Sequence, residues 1–333
     1  MSIAPLDAAR LDSGEPGGPG QAPAAVGTRS PGRAAWLRLR QNRTALVSGV
    51  VSAFLVVVAL AAPLIGAAYG IHPQDTFQED LDRFGLPYGV AGGVTGTHWF
   101  GLEPGQGRDL FIQMVYGMRT SLGIAFAAAL MTTMVGVLLG IVSGYLGGWV
   151  DAVINWVTDV TLALPFLIFT LAVIRPIELH FYGPREAVPG WFRVVVLITL
   201  FTAFGWTTTA RLVRGQVLSL REREFVEAAR ASGARLGRVL FRELLPNLGA
   251  PILVAFSLSI PAYITGEAAL SFLGIGMLEP TPDFGRTIFR SLNYLQTDPA
   301  YVLFPGVTIF VLVLAFNLFG DALRDALDPK SLR

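Results

Sequence analysis

The chain has 333 residues, of which 53% are hydrophobic and only 15% charged, with a formal net charge of +1 and no cysteine. A soluble domain carries about 25% charged residues, so lipid must solvate much of this chain, and the missing thiols exclude disulfides and thiolate metal sites. Every basic residue except Lys330 is arginine and no Gly-Lys-Ser/Thr occurs, which excludes a P-loop, whose lysine reaches the nucleotide phosphates.

Residues 1–35 are rich in Gly, Pro and Ala without apolar periodicity, and read as a disordered tail. They lack the apolar stretch of a signal peptide. The first apolar run, Thr44–Tyr69, follows Arg33, Arg38, Arg40 and Arg43 and exceeds the roughly 20 residues a membrane helix needs. Further spans are expected at Ser121–Tyr145, Ala152–Ile174, Val194–Val213, Ala250–Ile275 and Tyr301–Gly320. In lipid the backbone must satisfy its own hydrogen bonds, so the expected fold is an all-α membrane protein of six transmembrane helices. Pro165 and Pro261 are expected to kink the third and fifth. The chain thus divides into a tail (1–35), a first membrane helix (36–70), an extracytoplasmic segment (71–120), a core (121–320) containing a helical loop at 216–248, and a second tail (321–333).

Orientation follows from the basic residues. With the N-terminus inside, segments 1–43, 146–151, 214–249 and 321–333, together with Arg211, hold 17 of the 25 basic residues, and the opposite side holds eight. Both termini and the 216–248 loop are therefore expected in the cytoplasm. In that loop Phe225, Ala228, Ala229 and Ser232 fall at i, i+3, i+4 and i+7 of a short helix over Arg221–Ser232. Gly233 suits a left-handed C-terminal cap. A second helix carries Leu236, Val239, Leu240 and Leu244 as one stripe and Arg235, Arg238 and Arg242 as another, and Pro246 is expected to stop it. Two short angled helices make a knob that docks in a partner's cleft. The competing reading is an amphipathic loop held on anionic headgroups by its arginines.

Asp159 and Glu267 lie inside expected spans, where a carboxylate costs on the order of 3 kcal/mol. Arg211 and Arg214 end the fourth span at a depth similar to that of Asp159. The pair is read either as a static packing feature or as a latch that rearranges. Glu267, after Thr265 and Gly266, is read either as a helix-packing hydrogen bond or as lining a pathway. Asp321, Asp325 and Asp328 read as a solvated tail rather than a metal site.

The pattern Glu227-Ala228-Ala229, three residues, Gly233, then Leu245-Pro246 resembles the cytoplasmic coupling loop of bacterial ABC-importer permeases. Ser271-Phe-Leu-Gly-Ile-Gly-Met277, Pro280-Thr-Pro-Asp-Phe-Gly285, Asn293-Tyr-Leu295, Phe304-Pro-Gly306 and the run Ala315 to Pro329 are similar to the C-terminal third of dipeptide/oligopeptide-type permeases, specifically their C-type subunit. His98-Trp-Phe-Gly101, Gly107-Arg-Asp109 and Tyr116-Gly-x-Arg119-x-Ser121-Leu122 resemble the same family upstream, so the likeness covers roughly residues 36–329. Departures are Leu102-Glu103 where Thr-Asp is usual, five residues before Gly107-Arg-Asp109 instead of four, Gln113 in place of Arg, and Glu243 in place of an apolar residue.

The resemblance implies a transport subunit of the bacterial inner membrane without catalytic residues or a cofactor or metal of its own. ATP and Mg would sit on two ATPase subunits docked at Glu227, Ala228, Ala229, Gly233, Leu245 and Pro246. A homologous second permease would complete the pathway, and an extracytoplasmic binding protein would deliver cargo. Peptides are the implied cargo, with nickel, opines or oligosaccharides as alternatives. Nothing points to nucleic acid. An intramembrane hydrolase built on Ser143 lacks a His or Lys base in any span, and a passive channel would leave the coupling loop without a purpose.

Overall fold

The computed structural model describes residues 31–327, with side chains from residue 36. Residues 1–30 of the expected tail, and Asp328 and Lys330 at the other end, lie outside the described residues. The last five residues of that tail belong instead to a helix, α1 (Pro31–Gln41). Proline suits the first helical position, where its missing N–H would have no partner anyway. The Arg38 guanidinium donates to the Ala326 carbonyl at 3.4 Å, so the two described ends of the chain meet.

The first expected span is two helices, α2 (Arg43–Leu60) and α3 (Ala62–Tyr69). Asn42 caps the first, its side chain accepting from the Ala45 N–H at 3.2 Å. The break at Ala61 comes just before Pro63, which cannot continue the N–H ladder. The second span begins eleven residues earlier than its hydropathy suggests, as α4 (Leu110–Leu146), because Asp109 caps it by accepting from the Ile112 N–H at 2.9 Å. At 37 residues it is about 55 Å long. The tail end of the expected extracytoplasmic segment is therefore helix.

The third span is broken into α5 (Gly148–Ala163) and α6 (Phe166–Phe181), bent by 87°. Leu164 at the bend is extended, φ −86° and ψ 122°, the conformation a following proline imposes. Then come α7 (Gly190–Leu220) and the loop helices α8 (Glu224–Ala231), α9 (Leu236–Arg238) and α10 (Leu245–Asn247), with a π-helical stretch over Val239–Leu244 between the last two. The chain ends in α11 (Gly249–Phe272), α12 (Phe284–Ser291) and α13 (Ala300–Leu327). Pro261 lies inside an uninterrupted α11. Among the described residues five helices are long and apolar enough to cross a membrane, or six if the bent pair counts as one span. No strand occurs among the described residues.

The bundle is organised around α4. It runs parallel to α7, and Gly136, Gly140 and Gly144 form the contact. A β-carbon at these positions would lie 2.6 Å from Thr209 Cβ, 2.7 Å from the Ala210 oxygen and 2.9 Å from the Arg214 oxygen. Small residues of this kind let membrane helices approach closely. One apolar core joins α2, α4, α11, α12 and α13 through Leu55, Leu122, Ile264, Phe284 and Leu312. A second joins α4, α6, α7 and α11, and a third joins the ends of α4 and α7 to the α8–α10 loop. Exposed Trp36 and Trp149 flank one end of the bundle, Trp99 and Trp191 the other, where aromatic belts form.

At the second end, residues 71–109 fold as a compact cap. His98 Nδ1 lies 2.8 Å from Asp109 Oδ2. Arg108 bridges Glu103 at 2.6 Å and Glu279 at 3.2 Å, and Arg290 also pairs with Glu279. Burial pushes the Glu103 carboxyl above its ordinary range against the pull of Arg108. Glu279 is held below the usual carboxylate range, chiefly by Arg290.

Candidate functional site

The α8–α10 loop forms a platform on the ends of α4 and α7. Helix α8 ends in a Schellman motif: the Gly233 N–H donates to the Arg230 carbonyl at 2.9 Å and the Ala234 N–H to the Ala229 carbonyl at 3.1 Å. Gly233 has φ +73°, which glycine adopts without strain. Val226 is the anchor. It is fully buried with Val213 and Val217 of α7 and with Val239, Leu244 and Leu248, and each such side chain contributes about 1.5–3 kcal/mol by leaving water. Arg230 stacks over the Tyr145 ring at 4.7 Å and donates to its hydroxyl at 3.1 Å. Arg221 donates to the Gly144 carbonyl at 3.2 Å.

These contacts leave the other side of the loop open. Phe225, Glu227 and Ala228 are exposed on α8, and Arg235, Arg238, Arg242 and Pro246 beyond it. Ala229 and Leu245 are half-buried. The helical pattern in the sequence hides which face is inward, because Val226 lies outside the Phe225–Ala228–Ser232 series. The second stripe is inward at Val239, Leu240 and Leu244, while Leu236 is exposed. Pro246 does not stop the second helix. The stretch before it winds as a π-helix, and α10 carries on through the proline to Asn247.

Of the intramembrane residues, Asp159 and Arg211 come together, with Arg211 Nη2 donating to Asp159 Oδ1 at 2.5 Å, and both side chains are half or more exposed in the single chain. Arg214 does not share Asp159. It grips Asp151 with two parallel bonds of 2.6 Å, and Asn155 adds a third at 2.7 Å. Ser143 Oγ also donates to Asp151, the carboxylate that Arg214 holds, so this hydroxyl ties α4 to α5. Glu267 is fully buried between α4 and α11 and accepts from Ser121 and Ser271. Its side chain is fully enclosed in the single chain. A further buried pair, Glu178 of α6 with Arg193 of α7, is invisible to hydropathy because both residues flank apolar runs.

Clefts open at both ends of the bundle. One of about 930 Å³ lies between α7 and α11 at the loop end, lined by Thr208, Thr209, Gln216, Asn247, Tyr263 and Arg324. Another of about 670 Å³ lies at the cap end beside Tyr116, Arg119 and Trp191. No group of three or more metal-ligating side chains occurs among the described residues.

Two family descriptions match this architecture. Residues 136–333 match the binding-protein-dependent transport system inner membrane component, and residues 30–84 match the N-terminal TM domain of oligopeptide transport permease C. The chain belongs to this family of bacterial inner-membrane permeases and is a permease of an ATP-driven importer. It is 37% identical over 305 residues to the dipeptide transport system permease protein DppC of Alkalihalophilus pseudofirmus, covering 90% of each chain. It is 34% identical to the glutathione transport system permease protein GsiD of Pectobacterium atrosepticum, covering 91% of this chain and 92% of that one. It is 33% identical to the oligopeptide transport system permease protein OppC of Bacillus subtilis, covering 89% and 88%. Among solved structures, an inward-facing form of the MetNI methionine ABC transporter superposes with a TM-score of 0.52 at 18% identity, over 66% of this chain and 98% of that chain, a likeness of fold alone.

Proposed function

We propose that this chain is a peptide-importing permease subunit that receives force from ATPase subunits through the α8–α10 loop. The observation that carries the reading is the two-sided build of that loop. Val226 and Arg230 fix it to α4 and α7, and Phe225, Glu227 and Ala228 stand exposed on the opposite face. An apolar aromatic beside an acid on a rigidly capped helix fits a protein cleft better than a headgroup layer, which favours cations. The six proposed docking residues are Glu227, Ala228, Ala229, Gly233, Leu245 and Pro246. The bias of 17 basic residues against eight supports a cytoplasmic position for this loop and both termini.

A second, homologous permease covers the exposed faces, the cleft of about 930 Å³ contributes to the shared pathway, and an extracytoplasmic binding protein delivers cargo to the cap end. ATP and Mg bind the partner subunits and not this chain, which has no P-loop lysine. Dipeptide, glutathione and oligopeptide permeases among the relatives favour peptide cargo over nickel, opines or oligosaccharides.

Co-purification tests the assembly. A tagged chain is expected to bring down a second permease and ATPase subunits, and Ala228→Arg should release the ATPases while the second permease stays. Purification with no ATPase, or ATPases retained at wild-type level by Ala228→Arg, would refute the docking role. Uptake of labelled di- and oligopeptides by cells with and without the gene tests the cargo.

A further inference from the structure

Three segments distant in the chain meet around one buried acid. Glu267 Oε2 accepts from Ser121 Oγ of α4 at 2.6 Å, and Oε1 from Ser271 Oγ at 3.0 Å. Ser271 Oγ accepts in turn from the Met277 N–H at 3.0 Å. The third segment arrives with Asp283, which caps α12 by accepting from the Arg286 N–H at 2.8 Å through Oδ1. Its carboxyl is the charged neighbour of Glu267. The approach is close enough that a β-carbon on Gly285 would lie 2.0 Å from the Ala268 carbonyl of α11.

The hydrogen-bond accounting of this cluster is one proton short. Asp283 is 1% exposed, and its Oδ2 meets no backbone, hydroxyl or guanidinium donor. Glu267 is fully buried. An ionised carboxylate only accepts, so two ionised acids cannot bond to each other, whereas a protonated one has an O–H to give. Two like charges in a buried contact also repel strongly. Arg286 stands beside Asp283 and favours one ionised carboxylate there, but its guanidinium donates to the Met277 and Thr281 carbonyls at 3.2 and 2.5 Å and gives no hydrogen bond to either acid. Helix α4 presents the uncharged Ser121 and α11 the uncharged Ser271. Neither acid makes a salt bridge among the described residues.

We infer that Glu267 and Asp283 form a proton-binding site, an acid–carboxylate pair in which one held proton makes the Glu267–Asp283 hydrogen bond and fastens the α12 turn to α11 and α4. The ligand is the proton itself. The site lies apart from the loop platform and directly behind the cap-end cleft, whose lining includes Met277, Thr281 and Pro282, and it stands whatever the cargo is.

Each amide variant, Glu267→Gln or Asp283→Asn, replaces the shared O–H by an N–H and preserves the bond. The test is infrared spectroscopy at neutral pH on the full chain purified with its subunits, reading protonated carboxyl C=O bands and their shift in D2O. The wild-type-minus-variant difference spectrum is expected to show one such band for each amide variant, while both variants still assemble. If one variant fails to assemble, the spectrum of the other decides. A carboxyl band pattern unchanged by the substitutions would overturn the proposal, because water or a cation would then be serving Asp283 Oδ2. Failure of both amide variants to assemble would overturn it too, since an N–H would then not replace the shared proton.

Discussion

Gly140→Leu probes the contact that organises the bundle. A β-carbon at this position would sit 2.7 Å from the Ala210 carbonyl oxygen, 2.8 Å from Val213 Cβ and 3.1 Å from Val213 Cγ1. Carbon atoms rest about 3.5–4.0 Å apart, so the β-carbon alone asks α4 and α7 to part by roughly 1 Å. Two of the obstructing atoms cannot rotate aside, because one is backbone and the other a β-carbon. Overpacking by a few methylenes costs about 1–3 kcal/mol, and three further carbons place leucine at the upper end, about 3 kcal/mol. Gly136 and Gly144, one turn away on either side, would lose their contacts with Thr209 and Val217 as well. Gly215→Leu on α7 is the control: its β-carbon would meet open space, and a change within about 0.5 kcal/mol is expected. Thermal unfolding of the purified protein in detergent reads both, with Gly140→Leu lowering the midpoint by roughly 5–10 °C. Equal midpoints for the two variants would refute the reasoning, since the close approach of α4 to α7 would then carry no weight.

Gly233→Val meets no steric obstacle, so its effect is backbone strain alone, about 1–2 kcal/mol at φ +73°. Weaker ATPase attachment or hydrolysis uncoupled from uptake is expected, and normal uptake with normal attachment would count against the docking role. Double-mutant cycles on unfolding should give a larger coupling for Asp151–Arg214, which is bidentate and half-buried, than for the exposed Asp159–Arg211 pair, expected at no more than about 1 kcal/mol. The reverse order would mean that a partner subunit buries the second pair. Because Glu279 is held below its ordinary value by Arg290, the stability it lends the cap is present above the ordinary carboxylate range and is lost as pH falls through the folded-state value. Amide protection factors in residues 71–109, taken relative to the intrinsic exchange rate at each pH, should therefore fall on acidification in the wild type and respond less in Arg290→Gln; identical pH responses would remove Glu279 from that role.

The apolar runs made the membrane helices legible, since lipid leaves a long apolar segment few alternatives. Helix ends were less so. Hydropathy fades before Ser121 because Gln113, Arg119 and Thr120 are polar, yet Asp109 nucleates α4 eleven residues earlier. That cap was readable as an Asp three residues before Ile112. The inward face of α8 was not readable, because an eight-residue helix holds too few turns for periodicity to separate Val226 from Phe225. Gly136, Gly140 and Gly144 repeat every four residues and could have been found as a packing stripe. Asp159 drew attention as an acid inside a span, but the better-held acid is Asp151 at the helix start, whose partners besides Asn155 come from α4 and α7 and so cannot be inferred from its own neighbours. Glu267 had the same difficulty, with Ser121 at a distance of 146 positions.

Helix α4 has a mechanical consequence. It is unbroken for 37 residues, about 55 Å against a hydrocarbon layer of about 30 Å. One tip carries Tyr145, gripped by Arg230 of the loop platform, and the other carries Asp109, which holds His98 in the cap. Such a rod behaves as a rigid beam. A tilt of about 5° imposed at the Tyr145 tip sweeps the far tip through roughly 5 Å, the rise of one helical turn. Because α7 is seated against it through three glycines, the two helices would swing as a single body.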